Sequence, residues 1–244
     1  DRFFMTKSAM KLLRSAGTVT WAQGRKLTSK VLGATVIAAE YNRINGDTMD
    51  AAKTTLRGIV AYGVGYNHID VTAATERGLY VANCKGSNAE AVAELAVTLM
   101  LAISRGASVG DRLVREGRWR SDQSGDLPSI LRGRELARKT LGLVGMGEIG
   151  RRVARIAKGF EMRVLVYDPY LSPHTLRQSA VGAAKLPRLM READYVSVHV
   201  PLSAETKGLI GKTEIGMMKP TAYLVNTARG AVVDEGALLD ALRK

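Results

Sequence analysis

Residues 140–170 read TLGLVGMGEIGRRVARIAKGFEMRVLVYDPY. The apolar run Leu141–Val144 has the composition of a buried parallel strand. Three glycines follow it in the spacing G-x-G-x-x-G: Gly145, Gly147 and Gly150. A segment with helical periodicity, Arg151–Lys158, and a second apolar run, Val164–Tyr167, come next. This order of strand, glycine turn, helix and strand predicts a dinucleotide-binding unit within an α/β fold.

Each glycine of the turn has a physical role. The first permits a tight turn, the second lets a pyrophosphate approach the backbone, and the third lets the helix pack closely on the strand. The phosphates would lie at the N-terminus of the helix. Asp168 stands at the end of the second strand, where a carboxylate can accept hydrogen bonds from ribose hydroxyls and would repel a 2′-phosphate. The stretch therefore predicts NAD over NADP, with a glycine turn of some other α/β unit as the alternative.

Composition limits the class of protein. The chain has 244 residues, 46% of them hydrophobic, which suits one large or two ordinary domains. Charge interrupts every apolar stretch before the ~18 residues that a membrane helix needs, and the first residues do not form a signal peptide. The single cysteine, Cys84, fits a reducing compartment, so we expect a cytoplasmic protein without a membrane segment. The net charge of +13 is scattered along the chain, which favours anionic small molecules and not specific nucleic-acid binding.

Strands and helices alternate before the glycine turn, which predicts a parallel sheet there as well. Thr18–Ala22 is predicted as a short strand, and Asn88–Ser104 as a long helix buried between domains or between subunits. The region 105–138 is the least regular. We therefore expect an α/β protein of two Rossmann-like domains, a substrate-binding domain at 1–105 and a dinucleotide-binding domain at 106–244.

A second glycine turn, GVGYNHID at residues 63–70, follows one of the predicted strands. Two glycines beyond the carboxyl end of a strand free backbone N–H groups to face a ligand. A carboxylate is the natural ligand for such a group of N–H donors. An ordinary turn is an equal alternative from this stretch alone.

Several separated motifs now agree with one family. They are GVGYNHID (63–70), NAEAVAEL (88–95), GMGEIG (145–150), YDP (167–169), HVPLSAET (199–206) and MKPTAYLVNTARGAVVDEGAL (218–238). With these the chain resembles the D-isomer-specific 2-hydroxyacid dehydrogenases, the family of D-3-phosphoglycerate dehydrogenase and the glyoxylate/hydroxypyruvate reductases. The resemblance implies an active site in a cleft between two domains, NAD(H)-dependent interconversion of a D-2-hydroxy acid and its 2-keto acid, and a homodimer.

The resemblance also implies roles for single residues. Substrate would be bound by Val64, Gly65, Asn88 and Arg229. The cofactor would be bound by Gly145, Met146, Gly147, Glu148, Ile149, Gly150, Asp168, Pro169, His199, Val200, Pro201, Thr206, Thr227, Ala228 and Arg229. No metal ligands are expected.

Arg229 is the predicted catalytic residue. It follows an apolar strand at the point where α/β sheets place ligands. A guanidinium can hold a 2-keto acid in a bidentate fork and stabilise the negative oxygen that develops as hydride arrives. A surface arginine in a loop is the alternative.

The sequence departs from the family in its acid–base residues. The family uses a histidine paired with a glutamate, both downstream of the arginine and beyond Lys244. Neither His68, His174 nor His199 stands at that position. We therefore expect part of a longer dehydrogenase, lacking the first strand of one domain and the C-terminal part of the other.

By itself this part would bind NAD weakly. Its turnover would be about 10²–10⁴-fold slower than that of a complete enzyme, because the catalytic acid is missing. The substrate stays open, with Arg43 and Lys85 as candidate phosphate ligands or ordinary surface charges. An NAD(H)-sensing, corepressor-like binding protein of the same fold is the alternative function.

Overall fold

The computed structural model describes residues 6–21, 27–119, 129–172, 174 and 179–243. The chain divides into two compact units, Asp1–Asn88 and Ala89–Lys244. This division falls before the helix Ala89–Arg105, whereas the sequence placed the boundary after it, at 105/106. The reason is packing, because Ala93, Ala96, Val97 and Met100 of that helix belong to the hydrophobic core of the second unit.

The first unit contains a three-stranded parallel sheet in the order β1-β2-β3, which confirms the expected α/β class. Its elements are α1 (Lys7–Ala16), a 3-10 turn (Thr28–Lys30), β1 (Val36–Ala39), α2 (Gly46–Asp50), β2 (Gly58–Ala61), α3 (Val71–Glu76) and β3 (Tyr80–Asn83). Asn45 and Asp70 cap α2 and α3 by accepting hydrogen bonds from backbone N–H groups. The predicted strand at Thr18–Ala22 was wrong for its described residues 18–21, which form none, and Ala22 lies outside the described residues.

The second unit is built on a five-stranded parallel sheet. Its helices are α4 (Ala89–Arg105), α5 (Ala107–Arg115), α6 (Ser129–Arg132), α7 (Glu148–Gly159), α8 (Leu186–Glu192), α9 (Lys212–Met217) and α10 (Glu235–Leu242), with a 3-10 turn at Gly230–Val232. Its strands are β4 (Thr140–Val144), β5 (Arg163–Tyr167), β6 (Gly182–Ala183), β7 (Tyr195–Val198) and β8 (Tyr223–Asn226), in the order β6-β5-β4-β7-β8. The chain runs outward from β4 to β6 and then returns to β7 on the other side. This reversal next to β4 is where open α/β sheets bind ligands.

The central strand β4 is buried at every position. A Cβ added to Gly142 in its middle would lie 2.5 Å from Leu189 Cδ2 and 3.0 Å from Ala193 Cβ, so α8 packs directly on the strand. On the amphipathic helix α7, Val153, Ala154 and Ala157 face the core.

Two polar contacts join elements of this unit. The buried hydroxyl of Tyr195 lies 2.7 Å from Ser104 Oγ on α4, and its ring stacks on Tyr223. Asp194 accepts hydrogen bonds from Thr140 N and Lys219 Nζ, both at 2.8 Å. Burial alone would raise the pKa of Asp194, but the two hydrogen bonds and the positive charges of Lys219 and Lys139 outweigh it, so its pKa lies below the usual value.

Helix α4 is buried on one face only. Leu95, Leu99 and Ile103, spaced by four residues, are exposed on the other. The predicted burial of this helix therefore holds for one of its faces. Among the described residues, no single helix is long and apolar enough to cross a membrane. Helices α4 and α5 meet that test only as a pair bent by 66°.

Candidate cofactor and substrate site

The glycine turn after β4 has the geometry that its sequence spacing requires. Gly145 has φ +98°, and a Cβ there would lie 2.8 Å from the carbonyl oxygen of His199. A Cβ on Gly150 would overlap the carbonyl oxygen of Gly145. A Cβ on Gly147, in contrast, would meet no protein atom within 4 Å. Two of the glycines are therefore required by packing, while the third borders the open space that a pyrophosphate would use.

Helix α7 begins directly at the glycine turn. Gly147 is the N-cap, and the Arg151 N–H is the one that returns to the Gly147 carbonyl oxygen, at 3.0 Å. The N–H groups of Ile149 and Gly150 precede that first helical bond and have no acceptor in the helix. Together with the helix dipole they form an anion-binding end.

Asp168 lies at the carboxyl end of β5, beside the glycine turn. Its Oδ2 accepts a hydrogen bond from Met146 N at 2.9 Å, and its Oδ1 accepts one from Tyr170 N at 3.0 Å. The carboxylate thus holds the turn in place. Met146, a predicted cofactor ligand, has its side chain in the core and its N–H committed to Asp168. Pro169, the next predicted residue, is exposed beside it.

The residues after β7 cover the turn from the other side. The His199 carbonyl and the Val200 side chain would both contact a Cβ on Gly145. Thr206 Oγ1 donates to the Pro201 carbonyl oxygen at 2.5 Å and accepts from Ser203 N at 2.8 Å, which closes the loop 201–206.

The His199 imidazole is neutral at pH 7. Burial lowers its pKa to about 4. Its Nε2 lies 2.9 Å from Ser197 Oγ, and its Nδ1 is buried without a partner among the described residues. A neutral ring with so low a pKa is not a general acid near pH 7.

The turn after β8 presents Arg229. Asn226 builds this turn, because its Oδ1 accepts from Ala228 N at 3.0 Å and its Nδ2 donates to the Arg229 carbonyl oxygen at 2.9 Å. The exposed guanidinium donates to the Ala228 carbonyl oxygen, and no carboxylate of the described residues forms an ion pair with it. Thr227 Oγ1, like His199 Nδ1, is buried without a hydrogen-bond partner among the described residues. Asn226 was not among the predicted site residues, although an asparagine whose side chain accepts from the backbone two residues on is typical of such turns.

The second glycine turn lies in the first unit, at the end of β2. Gly63 has φ +152°, a conformation that favours glycine, and Val64 and Gly65 are half-buried. The nearby His68 Nε2 donates to the Ala39 carbonyl oxygen at 3.2 Å, which supports a structural role. Asn88, Arg43 and Lys85 are exposed.

Among the described residues no cluster of three or more His, Cys, Asp or Glu side chains is arranged to bind a metal.

Residues 97–244 match the family model described as D-isomer specific 2-hydroxyacid dehydrogenase, NAD binding domain. The chain belongs to the D-isomer specific 2-hydroxyacid dehydrogenase family. The chain is similar to a glyoxylate reductase from Thermococcus litoralis, with 42% identity over 189 residues, which cover 78% of this chain and 57% of that protein. A D-3-phosphoglycerate dehydrogenase from Archaeoglobus fulgidus is 39% identical over 208 residues, which cover 85% of this chain and 38% of that protein.

A solved structure agrees with these relatives. D-lactate dehydrogenase from Aquifex aeolicus, complexed with NAD and lactic acid, superposes with a TM-score of 0.78 at 32% identity over 88% of this chain and 63% of that chain. The chain thus spans less than two thirds of the length of these members of the family. The second unit fits NAD, because several groups lie at one edge of its sheet: the open side of Gly147, the N–H groups of Ile149 and Gly150, and Asp168. His199 Nδ1 and Thr227 Oγ1, which have no partner among the described residues, lie at the same edge.

Proposed function

We propose that this protein is an NAD-dependent oxidoreductase that interconverts a D-2-hydroxy acid and its 2-keto acid. The observation that carries the proposal is Arg229, presented by the turn after β8 at the same sheet edge as the glycine turn. Bound NAD would supply or accept the hydride. Asp168 favours NAD over NADP because its carboxylate would repel a 2′-phosphate. The other cofactor contacts would come from the residues that the family resemblance implies.

Arg229 would bind the substrate and stabilise charge. Its guanidinium is free of carboxylate partners among the described residues, so its donors are available to an anionic ligand. It would hold the carboxylate or carbonyl oxygen of the keto acid and stabilise the oxygen that becomes negative during reduction. In the first unit, the backbone N–H groups of Val64 and Gly65 and the side chain of Asn88 would also bind substrate, so we infer that this unit is the substrate-binding domain.

Substitution of Arg229 tests the proposal. NADH oxidation by the full-length protein is measured with glyoxylate, hydroxypyruvate and phosphohydroxypyruvate, which also identifies the preferred substrate. We expect Arg229→Gln to lower kcat/KM by about 10²–10³-fold, and Arg229→Lys to lower it less because the charge remains but the fork is lost. Arg191→Gln, which removes another exposed guanidinium of the same unit, is the control and should leave kcat/KM unchanged.

The same assay separates the alternative. A full-length wild type that binds NADH but oxidises it with none of the three acids would instead be an NAD(H)-sensing binding protein. Equal activity of the wild type and Arg229→Gln would remove Arg229 from the mechanism.

We also infer a homodimer in the cytoplasm. The exposed stripe of Leu95, Leu99 and Ile103 on α4 supports a second copy as its partner, and the single cysteine supports a reducing compartment. Sedimentation analysis should show a dimer that Leu99→Glu weakens, and cell fractionation should find the protein in the cytoplasm. A monomeric wild type would contradict the first inference, and recovery from another compartment would contradict the second.

A further inference from the structure

Two consecutive residues at the end of β3 hold the second glycine turn. The backbone N–H of Cys84 donates to the carbonyl oxygen of Gly63 at 2.8 Å. The side-chain Nδ2 of Asn83 donates to the carbonyl oxygen of Val64, also at 2.8 Å. Two successive peptide groups of the turn are therefore anchored on the same side, one by backbone and one by a side chain.

The anchoring fixes where the N–H groups of the turn point. In a planar trans peptide the C=O and the following N–H point in opposite directions. Holding the Gly63 carbonyl toward β3 directs the Val64 N–H away from it, and holding the Val64 carbonyl does the same for the Gly65 N–H. Neither N–H donates to an acceptor among the described residues, so the two adjacent donors are available to a ligand.

The two anchors differ in what they require of the sequence. Any residue except proline at position 84 would supply the backbone N–H. The bond to the Val64 carbonyl, in contrast, requires a side-chain donor of the length and direction of Asn83. Asn83 is exposed, so burial of its side chain does not account for an asparagine at this position.

We propose that Asn83 is a positioning residue for substrate binding, which orients the Gly65 N–H, beside that of Val64, toward the carboxylate of the 2-keto acid. The proposal rests on the proposed function, which places the substrate carboxylate on these two N–H groups. Asn83 itself does not contact the substrate. Its loss leaves the Val64–Gly65 peptide free to rotate, so part of the population lacks one of the two converging donors.

The test compares Asn83→Leu, Asn83→His and the wild type with glyoxylate and NADH. Leucine has a similar volume and no donor, whereas the Nδ1–H of histidine can replace the amide of asparagine. A neutral hydrogen bond contributes about 0.5–1.5 kcal/mol, and 1.4 kcal/mol corresponds to tenfold in affinity. We expect Asn83→Leu to raise the KM for glyoxylate by about 3- to 10-fold with kcat and the dissociation constant of NADH unchanged, and Asn83→His to restore KM.

Thr55→Val is the matched control. Thr55 Oγ1 donates to the Ala34 carbonyl oxygen at 3.0 Å, before the start of β1 and at the opposite end of the sheet. Thr55 Oγ1 also lies 3.3 Å from the Ala52 carbonyl oxygen, so Thr55→Val removes two side-chain-to-backbone contacts from the same unit, and it should leave KM unchanged. If Asn83→Leu does not fold, Asn83→Ala provides the same measurement.

The outcomes separate the two claims. A full-length wild type that does not oxidise NADH with any keto acid contradicts the proposed function. An active wild type with the same KM in Asn83→Leu, or a raised KM that Asn83→His does not restore, overturns the role of Asn83 and leaves the proposed function intact.

Discussion

Replacing Asp168 with serine should change which dinucleotide the protein prefers. The carboxylate is held at the end of β5 by the N–H groups of Met146 and Tyr170, one on each oxygen. A carboxylate has about four lone-pair sites, so about two remain. These two sites match the two hydroxyls of the adenosine ribose, and their charge disfavours a phosphate in place of the 2′-hydroxyl.

The magnitude follows from the bonds that would be lost. A hydrogen bond to a charged group contributes about 1.5–3 kcal/mol, and a serine hydroxyl with water recovers part of two such bonds. We expect a net loss of about 2–3 kcal/mol, which is about a 30- to 150-fold weaker affinity for NADH. Two unit charges 5 Å apart repel by about 3 kcal/mol at an effective dielectric constant of about 20. Asp168 is only half-buried, so solvent screens its charge. We therefore take about 1 kcal/mol as the repulsion that NADPH no longer experiences in Asp168→Ser.

The assay is titration of NADH and NADPH by fluorescence, with thermal unfolding to check the fold. The ratio of the NADPH to the NADH dissociation constant should fall by about 10²- to 10³-fold in Asp168→Ser. Asp111→Asn is the control, since it removes one negative charge from the exposed surface of α5 in the same unit. The reasoning is refuted if Asp168→Ser folds as the wild type does and keeps the wild-type ratio.

Two stability predictions follow from the second unit. Gly142→Ala should lower the free energy of unfolding in urea by about 1–3 kcal/mol because its methyl group has no room beneath α8, while Gly159→Ala, where a Cβ meets nothing within 4 Å, should change it little. Equal effects of the two glycine variants would contradict this packing argument. Asp194→Asn should lower the free energy of unfolding by about 1–3 kcal/mol at pH 7 through its weakened bond to Lys219. Because the folded pKa of Asp194 is lowered, this contribution is present above the unfolded pKa of about 3.9 and is lost as pH falls through the folded value, so urea unfolding at pH 3 should show a smaller difference. A difference that grows on acidification would contradict the assigned sign.

Local sequence predicted a large part of the fold and of the cofactor edge. The parallel sheets, the glycine turn followed by α7, and Asp168 at the end of β5 all match, because these features depend on spacing within about thirty residues of chain. The boundary at 105/106 did not match. The small apolar residues of α4 indicate a buried helix but do not say which core receives it.

The contacts that hold the site residues in place could not be predicted from the sequence. Asn83 reaches Val64 across 19 positions of chain, and the His199 carbonyl limits the space at Gly145 from a different strand. Such contacts depend on the order of strands in the sheet, which no local pattern specifies. The low pKa of His199 also required the structure, because burial determines it.

The sequence by itself determined the family, the parallel α/β class and the NAD-type turn. Each of these depends on short motifs whose residues are close together along the chain. Only the tertiary structure decided which groups hold those motifs in place: Asp168 on the Met146 N–H, Asn226 on the Arg229 turn and Asn83 on the Val64 carbonyl. The physical reason is that a hydrogen bond acts over about 3 Å in space, whatever the separation of its partners along the chain.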